Sequence, residues 1–370
     1  MKEQLVQVID KKDLQVLILT DGYNIHHLSG YRGHTGMLVA FQGEQYILTD
    51  SRYTEQVELE APEFTCVDIG REGYSKTIAA MVQKAFAKEG RSTLRIGFEN
   101  KEISYMQYQA FVDTFAKELT GMQVEFVPLE DAVNVYREVK TEDEIAKLAR
   151  AEQIGDEAFT EIVKFIHENW KDGLTEQRVA LQLEYEMRLR GAEGTSFDTI
   201  AASGSNSSLP HAMPQPKLLT EGDFLTMDFG CMYQGYCSDM TRTIHIGEVV
   251  ESEQKKVYDT VLQAQLAALS VVKPGMVCSD VDKCARDIIA DAGYGDYFGH
   301  GLGHSVGLFI HEEPRFSMKC DAVLKPGVVI TVEPGIYLPG KFGVRIEDML
   351  YVIEDGCIDL TDASKQLIVL

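Results

Sequence analysis

An α+β protein built in two parts is what this sequence predicts. Three observations carry the expectation. Apolar runs of strand length alternate with amphipathic helical patterns in the first third, and four long helices then begin at residue 141. Between and after those helices lie strand pairs joined by Gly-containing turns. A chain of 370 residues exceeds one typical domain and suits two, one of them large.

In the first part, residues 1–130, Asp13 to Thr20, Gly36 to Phe41 and Gln45 to Thr49 read as strands. The last two form a hairpin closed by Gln42-Gly43-Glu44. Tyr74 to Glu89 places Ile78, Met81, Val82 and Phe86 on one helical face. Leu94 to Phe98 and Gln123 to Pro128 are strands flanking another helix, which completes a compact α/β unit. The join with the second part, residues 131–370, falls in LEDAVNVYREVKTEDE.

There Thr141 and Glu144 make a capping box that opens a helix carrying Ile145, Leu148, Ile154, Phe159, Ile162 and Ile166 inward. Further helices are expected over 174–189, 252–272 and 279–292, stopped by Gly191, by Lys273-Pro274-Gly275 and by Gly293. The strand pairs are 195–203, 223–230 with 233–246, and 328–333 with 343–353. They predict an antiparallel sheet with helices packed outside.

Composition narrows the function. Asp+Glu 58 against Lys+Arg 35 leaves a net charge of −23, which repels phosphate backbones and anionic lipid; no nucleic-acid or membrane-surface partner is expected. No run approaches the roughly 20 apolar residues of a membrane span. The charged N-terminal segment lacks the apolar core of a signal peptide. Seven cysteines without paired spacing read as reduced thiols of a cytoplasmic protein, where the sequon Asn206-Ser207-Ser208 carries no weight.

Three stretches hold the chemistry. In TMDFGCMYQGYCSDMTRT, Asp228 sits in an apolar strand and Asp239 follows eleven positions later, across a turn near Gly235 or Gly230. The two carboxylates can converge on one face; read alone, they could equally cap turns or pair with Arg242. In GHGLGHSVGLFIHEEP, His300, His304 and His311 lie among glycines that admit close backbone approach. The βαβ context of a dinucleotide loop is absent, as is the helical zincin spacing. In VVITVEPGIY and GVRIEDML, Glu333 ends a Val/Ile strand, and Arg345 and Glu347 share one side of the next. Arg345 with Glu347 could also be an ordinary surface pair. Taken together, four carboxylates and one imidazole exceed what one small ion needs and suit two. Oxygen-rich ligation favours Mn²⁺, with Fe²⁺, Co²⁺ or Zn²⁺ as alternatives.

DFG…GYCSDMTRT, HGLGHSVGLFIHEEP, VEPGIY and VRIED together resemble the pita-bread metallopeptidases, the family of methionine aminopeptidase, aminopeptidase P and prolidase. The resemblance covers nearly the whole chain. It implies a creatinase-like N-terminal domain followed by a pita-bread catalytic domain. It implies two divalent metal ions held by Asp228, Asp239, His304, Glu333 and Glu347, with hydrolysis by a hydroxide bridging them. It casts Glu333 also as the proton shuttle, His211 in SLPHAMP and His311 as substrate-contacting histidines, and His300 as a wall of the pocket. It casts Arg345 as a support for the metal carboxylates or a contact for product carboxylate. It implies proline-containing peptide substrates and a homodimer. HEEP tilts the expectation toward an Xaa-Pro aminopeptidase, with the dipeptide-restricted prolidase as the alternative. His26, His27 and His34 are placed in a loop whose role the sequence leaves open.

Overall fold

The computed structural model describes residues 2–87, 91–248 and 250–370. The chain divides into two compact units, Met1–Arg137 and Glu138–Leu370.

The first unit runs α1 (Lys2–Lys11), β1 (Val16–Leu19), α2 (Gly22–Ser29), β2 (Met37–Phe41), β3 (Glu44–Thr49), α3 (Thr54–Glu60), β4 (Thr65–Asp68), α4 (Gly73–Phe86), β5 (Thr93–Phe98), α5 (Tyr105–Glu118) and β6 (Gln123–Pro128). The six strands form one mixed sheet in the order β4-β3-β2-β1-β5-β6. The apolar run VLIL of β1 is buried on both sides. Leu17 and Leu19 face Leu5, Val8, Ile25 and Leu28 from α1 and α2, whereas Val16 and Ile18 face Val82, Phe111 and Phe115 from α4 and α5. A strand covered on both faces reads as continuous hydrophobics, not as alternation, which is why it stood out in the sequence. His26 and His27 are not in a loop; they lie in α2, which Asp21 caps by accepting from the Tyr23 N–H. Asp21 follows the strand after Thr20, and a helix of eight residues carries too little periodicity to be seen. The predicted continuation of α4 to Glu89 runs into 88–90, outside the described residues.

The second unit runs α6 (Glu142–Asn169), α7 (Glu176–Leu189), β7 (Gly194–Thr195), β8 (Ile200–Ser203), β9 (Phe224–Phe229), β10 (Cys231–Tyr233), β11 (Tyr236–Cys237), β12 (Met240–His245), α8 (Ser252–Val271), α9 (Cys278–Asp291), β13 (Gly303–Ser305), β14 (Glu312–Phe316), β15 (Val329–Val332), β16 (Gly335–Leu338), β17 (Phe342–Arg345), β18 (Asp348–Ile353) and β19 (Gly356–Asp359). Thr141 and Glu144 form both halves of the capping box of α6. The helices α6 and α7 pack Ile154, Phe159, Ile162 and Leu183 on Met227, Phe229 and Ile244 of β9 and β12. The helices α8 and α9 pack Val257, Val261, Val281 and Ile289 on Ile330, Val332 and Leu350 of β15 and β18. Every strand pairing in this unit is antiparallel.

Two predicted strands break where the chemistry is. Residues 233–246 divide into β11 and β12, because Gln234-Gly235 turns a small hairpin first. Residues 343–353 divide into β17, paired with β16, and β18, paired with β15. Between them the Glu347 N–H bonds the Thr241 carbonyl of β12. The chain thus changes partners at the residue that carries a predicted ligand.

A buried ion pair holds this crossing. Arg242 and Asp348 lie 2.7 Å apart and are essentially inaccessible. Arg242 also donates to the carbonyls of Thr241, Glu347, Ala363 and Ser364, and Gln265 donates to Asp348. Removing one partner strands a buried charge, so Asp348→Ala should cost about 3–5 kcal/mol. Urea unfolding should show it as a lower midpoint with an unchanged slope.

Candidate metal centre and active site

The five predicted ligands reach one cavity of about 610 Å³ from separate places in the second unit. Asp228 lies near the end of β9, opposite Thr241 of β12. Asp239 is one residue before β12, and Glu347 sits at the break between β17 and β18. Glu333 follows β15 directly, its N–H bonded to the Leu302 carbonyl. His304 is the centre of β13. Strand ends converge here because the sheets are antiparallel and cross at the Thr241–Glu347 bridge.

Glycine makes the approach possible at two points. A Cβ on Gly303 would sit 2.0 Å from the Thr331 carbonyl oxygen, and one on Gly230 would sit 1.8 Å from that of Ser238. Any side chain there would push His304 or Asp239 out of place.

The geometry fits a cation. One ligand atom each from Asp239, His304 and Glu347 lie within 4.8 Å of one another, and all three residues are buried. His304 Nε2 is 3.4 Å from Asp239 Oδ2 and 3.5 Å from Glu333 Oε1. Its Nδ1 faces the Ser305 carbonyl at 3.1 Å, which assigns the hydrogen to Nδ1 and frees Nε2 as a lone-pair donor. Asp228 Oδ1 and Glu347 Oε1 are buried without a hydrogen-bond partner, an expensive state for carboxylate oxygens that a metal would relieve.

Electrostatics point the same way. Burial above all, with the charge of Asp228, raises the Asp239 carboxyl to about 6, against the opposing pull of His304. Burial, with Asp239 and Asp228, raises Glu333 to about 7 against His304 and Arg345. Glu347 is driven well above its ordinary value by burial and by the other three carboxylates. For His304, burial opposes the charged ring, but the hydrogen bond to Asp239 and the charges of Glu333 and Asp239 win and lift it to about 9. Without a metal the site holds protons in its place.

A second layer aligns these groups. Arg345 donates to Asp228 Oδ2 at 2.6 Å, to Thr241 Oγ1 at 3.0 Å, to the Tyr337 hydroxyl at 2.7 Å and to the Pro210 carbonyl at 3.3 Å. Thr241 donates on to Glu347 Oε2 at 2.7 Å. His300 does not join the carboxylates. The Tyr337 hydroxyl accepts from Arg345 and so donates to His300 Nε2 at 2.9 Å. Burial and the nearby Arg345 keep that ring neutral, its pKa lowered to about 4. His211 and His311 both line the cavity and are exposed. The His311 ring stands edge-on to His304 at 4.5 Å.

Some contributors escaped the sequence reading. Thr241 and Tyr337 sit inside the quoted motifs, but a hydroxyl gives no signal of its own there. Glu152 on α6 is fully buried, accepts from the Asp239 N–H at 3.3 Å, and takes the Thr361 hydroxyl at 2.6 Å. Its signal was available: an acid beside Ala151 on the apolar face of a periodic helix. Arg315 and Asp198 also line the cavity. None of the buried cysteines belongs to the cluster among the described residues.

Comparison with known proteins accords with this geometry. Residues 146–354 match the model of metallopeptidase family M24, and residues 2–139 match the creatinase/prolidase N-terminal domain. The chain belongs to the M24 metallopeptidases. An Xaa-Pro dipeptidase of Pyrococcus furiosus is 37% identical over 366 residues, 99% of each chain. Among solved structures, an Xaa-Pro dipeptidase from Bacillus anthracis superposes with a TM-score of 0.89 at 38% identity, covering 100% of this chain and 99% of the other. An X-Pro aminopeptidase from Thermotoga maritima superposes with a TM-score of 0.85 at 35% identity, covering 98% and 100%. The architecture is therefore a creatinase-type N-terminal domain followed by the M24 pita-bread fold. No helix among the described residues is long and apolar enough to cross a membrane.

Protons and metal compete for this centre, which sets a pH dependence. The raised carboxyls of Asp239 and Glu333 and the raised His304 all make the folded, metal-free chain bind protons more tightly than the unfolded one. That contribution is complete at low pH and is lost as pH rises from about 4 through about 9. A divalent ion replaces it progressively. The gap in melting temperature between Mn²⁺-loaded and chelated protein should widen from pH 5.5 to pH 8. Calorimetry at pH 7 in two buffers should show net proton release on Mn²⁺ binding, with roughly tenfold tighter binding per pH unit for each proton released. A gap that narrows with pH would contradict the assignment.

Proposed function

We propose that this M24 metallopeptidase is an Xaa-Pro dipeptidase that binds two divalent cations, most favourably Mn²⁺, and hydrolyses the bond before proline in free dipeptides. The aminopeptidase reading that HEEP favoured gives way to its alternative. Full-length relatives named Xaa-Pro dipeptidase support the change, but a fold shared with an X-Pro aminopeptidase does not separate the two.

The observation that carries the choice is a spare cation in the cavity wall. A dipeptidase must hold the carboxylate of its substrate in place of further chain. Arg345 is only 3% exposed and commits its donors to protein groups, so it serves the metal ligands and not the product. The HEEP segment continues into Arg315, which lines the same cavity, is half-exposed and, among the described residues, pairs only with the exposed Glu313 at 3.1 Å. A guanidinium in that position suits a planar carboxylate.

Asp228, Asp239, His304, Glu333 and Glu347 would hold the cations. Bound divalent ions supply a neutral-pH nucleophile from water and polarise the substrate carbonyl. The remaining work falls to side chains. Arg345 and Thr241 fix the directions of Asp228 and Glu347. Ser305 fixes the His304 ring. Glu333, a carboxylate on the cavity wall, carries a proton to the leaving nitrogen. Proline needs that proton, because its amide nitrogen has no hydrogen before cleavage. His211 and His311, both on the cavity wall, donate hydrogen bonds toward the carbonyl oxygen as its charge develops.

Mn²⁺-loaded protein should cleave Leu-Pro and leave Leu-Pro-Gly essentially untouched, as read by mass spectrometry. Arg315→Gln should raise KM for Leu-Pro roughly 10- to 100-fold, the worth of one charge-assisted hydrogen bond, with little change in kcat. Efficient trimming of Leu-Pro-Gly by both forms would restore the aminopeptidase reading.

A further inference from the structure

The cavity that holds the metal-ligand set carries one more acid, Asp198. Every other carboxylate in the lining is engaged. Asp228 pairs with Arg345, Asp239 and Glu333 face His304, and Glu347 takes the Thr241 hydroxyl. Asp198 is exposed and has no hydrogen bond or ion pair among the described residues.

Its position is built, not incidental. Asp198 lies in the link from β7 to β8, between Phe197, which packs against a buried cluster, and Thr199, which is itself buried. Ile200, two residues on, is the cross-strand neighbour of Asp228 and also lines the cavity. Asp198 and Ile200 both line the cavity, whereas Thr199 between them is buried. The acid thus stands two residues along the chain from the residue opposite a predicted ligand.

Substrate chemistry supplies the counterpart. A dipeptide carries an α-amino group with a pKa of roughly 7.7–8.0, mostly protonated at neutral pH. A protonated amine has no lone pair for a metal, and the ligand carboxylates are taken up by their cations. It needs a free anion beside the residue that carries the scissile carbonyl. We propose that Asp198 forms the subsite for the substrate's free α-ammonium group, and so imposes an unblocked first residue. The inference rests on the peptidase reading and deepens it: Asp198 and Arg315 are the two spare charges of the cavity, matched to the two ends of a zwitterionic dipeptide.

The test compares wild type, Asp198→Asn and Asp198→Glu, all Mn²⁺-loaded, with metal content and circular dichroism checked. The ligands are Leu-Pro and its des-amino analogue 4-methylpentanoyl-proline, the latter read as an inhibitor. Asp198→Asn should raise KM for Leu-Pro about tenfold with kcat within about threefold, and leave Ki of the analogue unchanged; Asp198→Glu should recover part of the loss. Equal effects on both ligands, or on neither, overturn the assignment. If wild type spares Leu-Pro but trims Leu-Pro-Gly, the dipeptidase reading falls, and the same cycle on that peptide and its des-amino form decides Asp198. Cleavage of neither overturns both.

Discussion

Like charges packed out of water set the terms for the second unit. Asp228, Asp239, Glu333 and Glu347 face one cavity, and burial with mutual repulsion drives three of the carboxyls upward. No hydrophobic packing offsets such a cost; only protons or cations do. The fold therefore arranges its positive groups with care. Arg345 faces the cluster from within the wall, and Arg242 lies behind it, tying the Glu347 backbone and Asp348 together. Neither arginine quenches the site. Asp228 Oδ1 and Glu347 Oε1 stay unpartnered, which keeps the electrostatic demand for metal intact.

Rigidity follows from where the candidate ligands sit. Each lies in a short strand or within one residue of its end, and two helix pairs brace those strands through separate apolar cores. A ligand at a strand end keeps the precision of the sheet while its side chain reaches past the last ladder bond. The partner change at Glu347 is the sharpest case. It breaks a strand that would otherwise run straight from 343 to 353, and it delivers a carboxylate opposite Asp239. The specificity proposed above rests on two other groups of the cavity: Arg315, within β14 opposite His304 and paired with Glu313, and Asp198 in the link before β8.

Much of this could be read from the sequence because the signals are local. Capping at Thr141, the period of α6, the Val/Ile runs and the Gly-stopped helices report backbone preferences that neighbouring residues decide. A charge inside a Val/Ile strand is equally local, and it exposed Asp228 and Glu333 before any contact was known. The helix α2 went unseen because eight residues carry little periodicity, and it took His26 and His27 out of the loop assigned to them.

By itself, then, the sequence determined the element types, the α+β class, the family and the small set of charged residues placed where solvent could not reach them. The tertiary structure alone decided that the strand through Glu347 changes partners, that Arg345 is used up inside the wall, that His300 points to Tyr337 and not to the carboxylates, and that Glu152 backs Asp239. It also decided that Arg315 and Asp198 keep charges to spare. The reason is physical. Whether an ionisable group is spent or free depends on partners drawn from distant parts of the chain, and local sequence preferences carry no record of those distances.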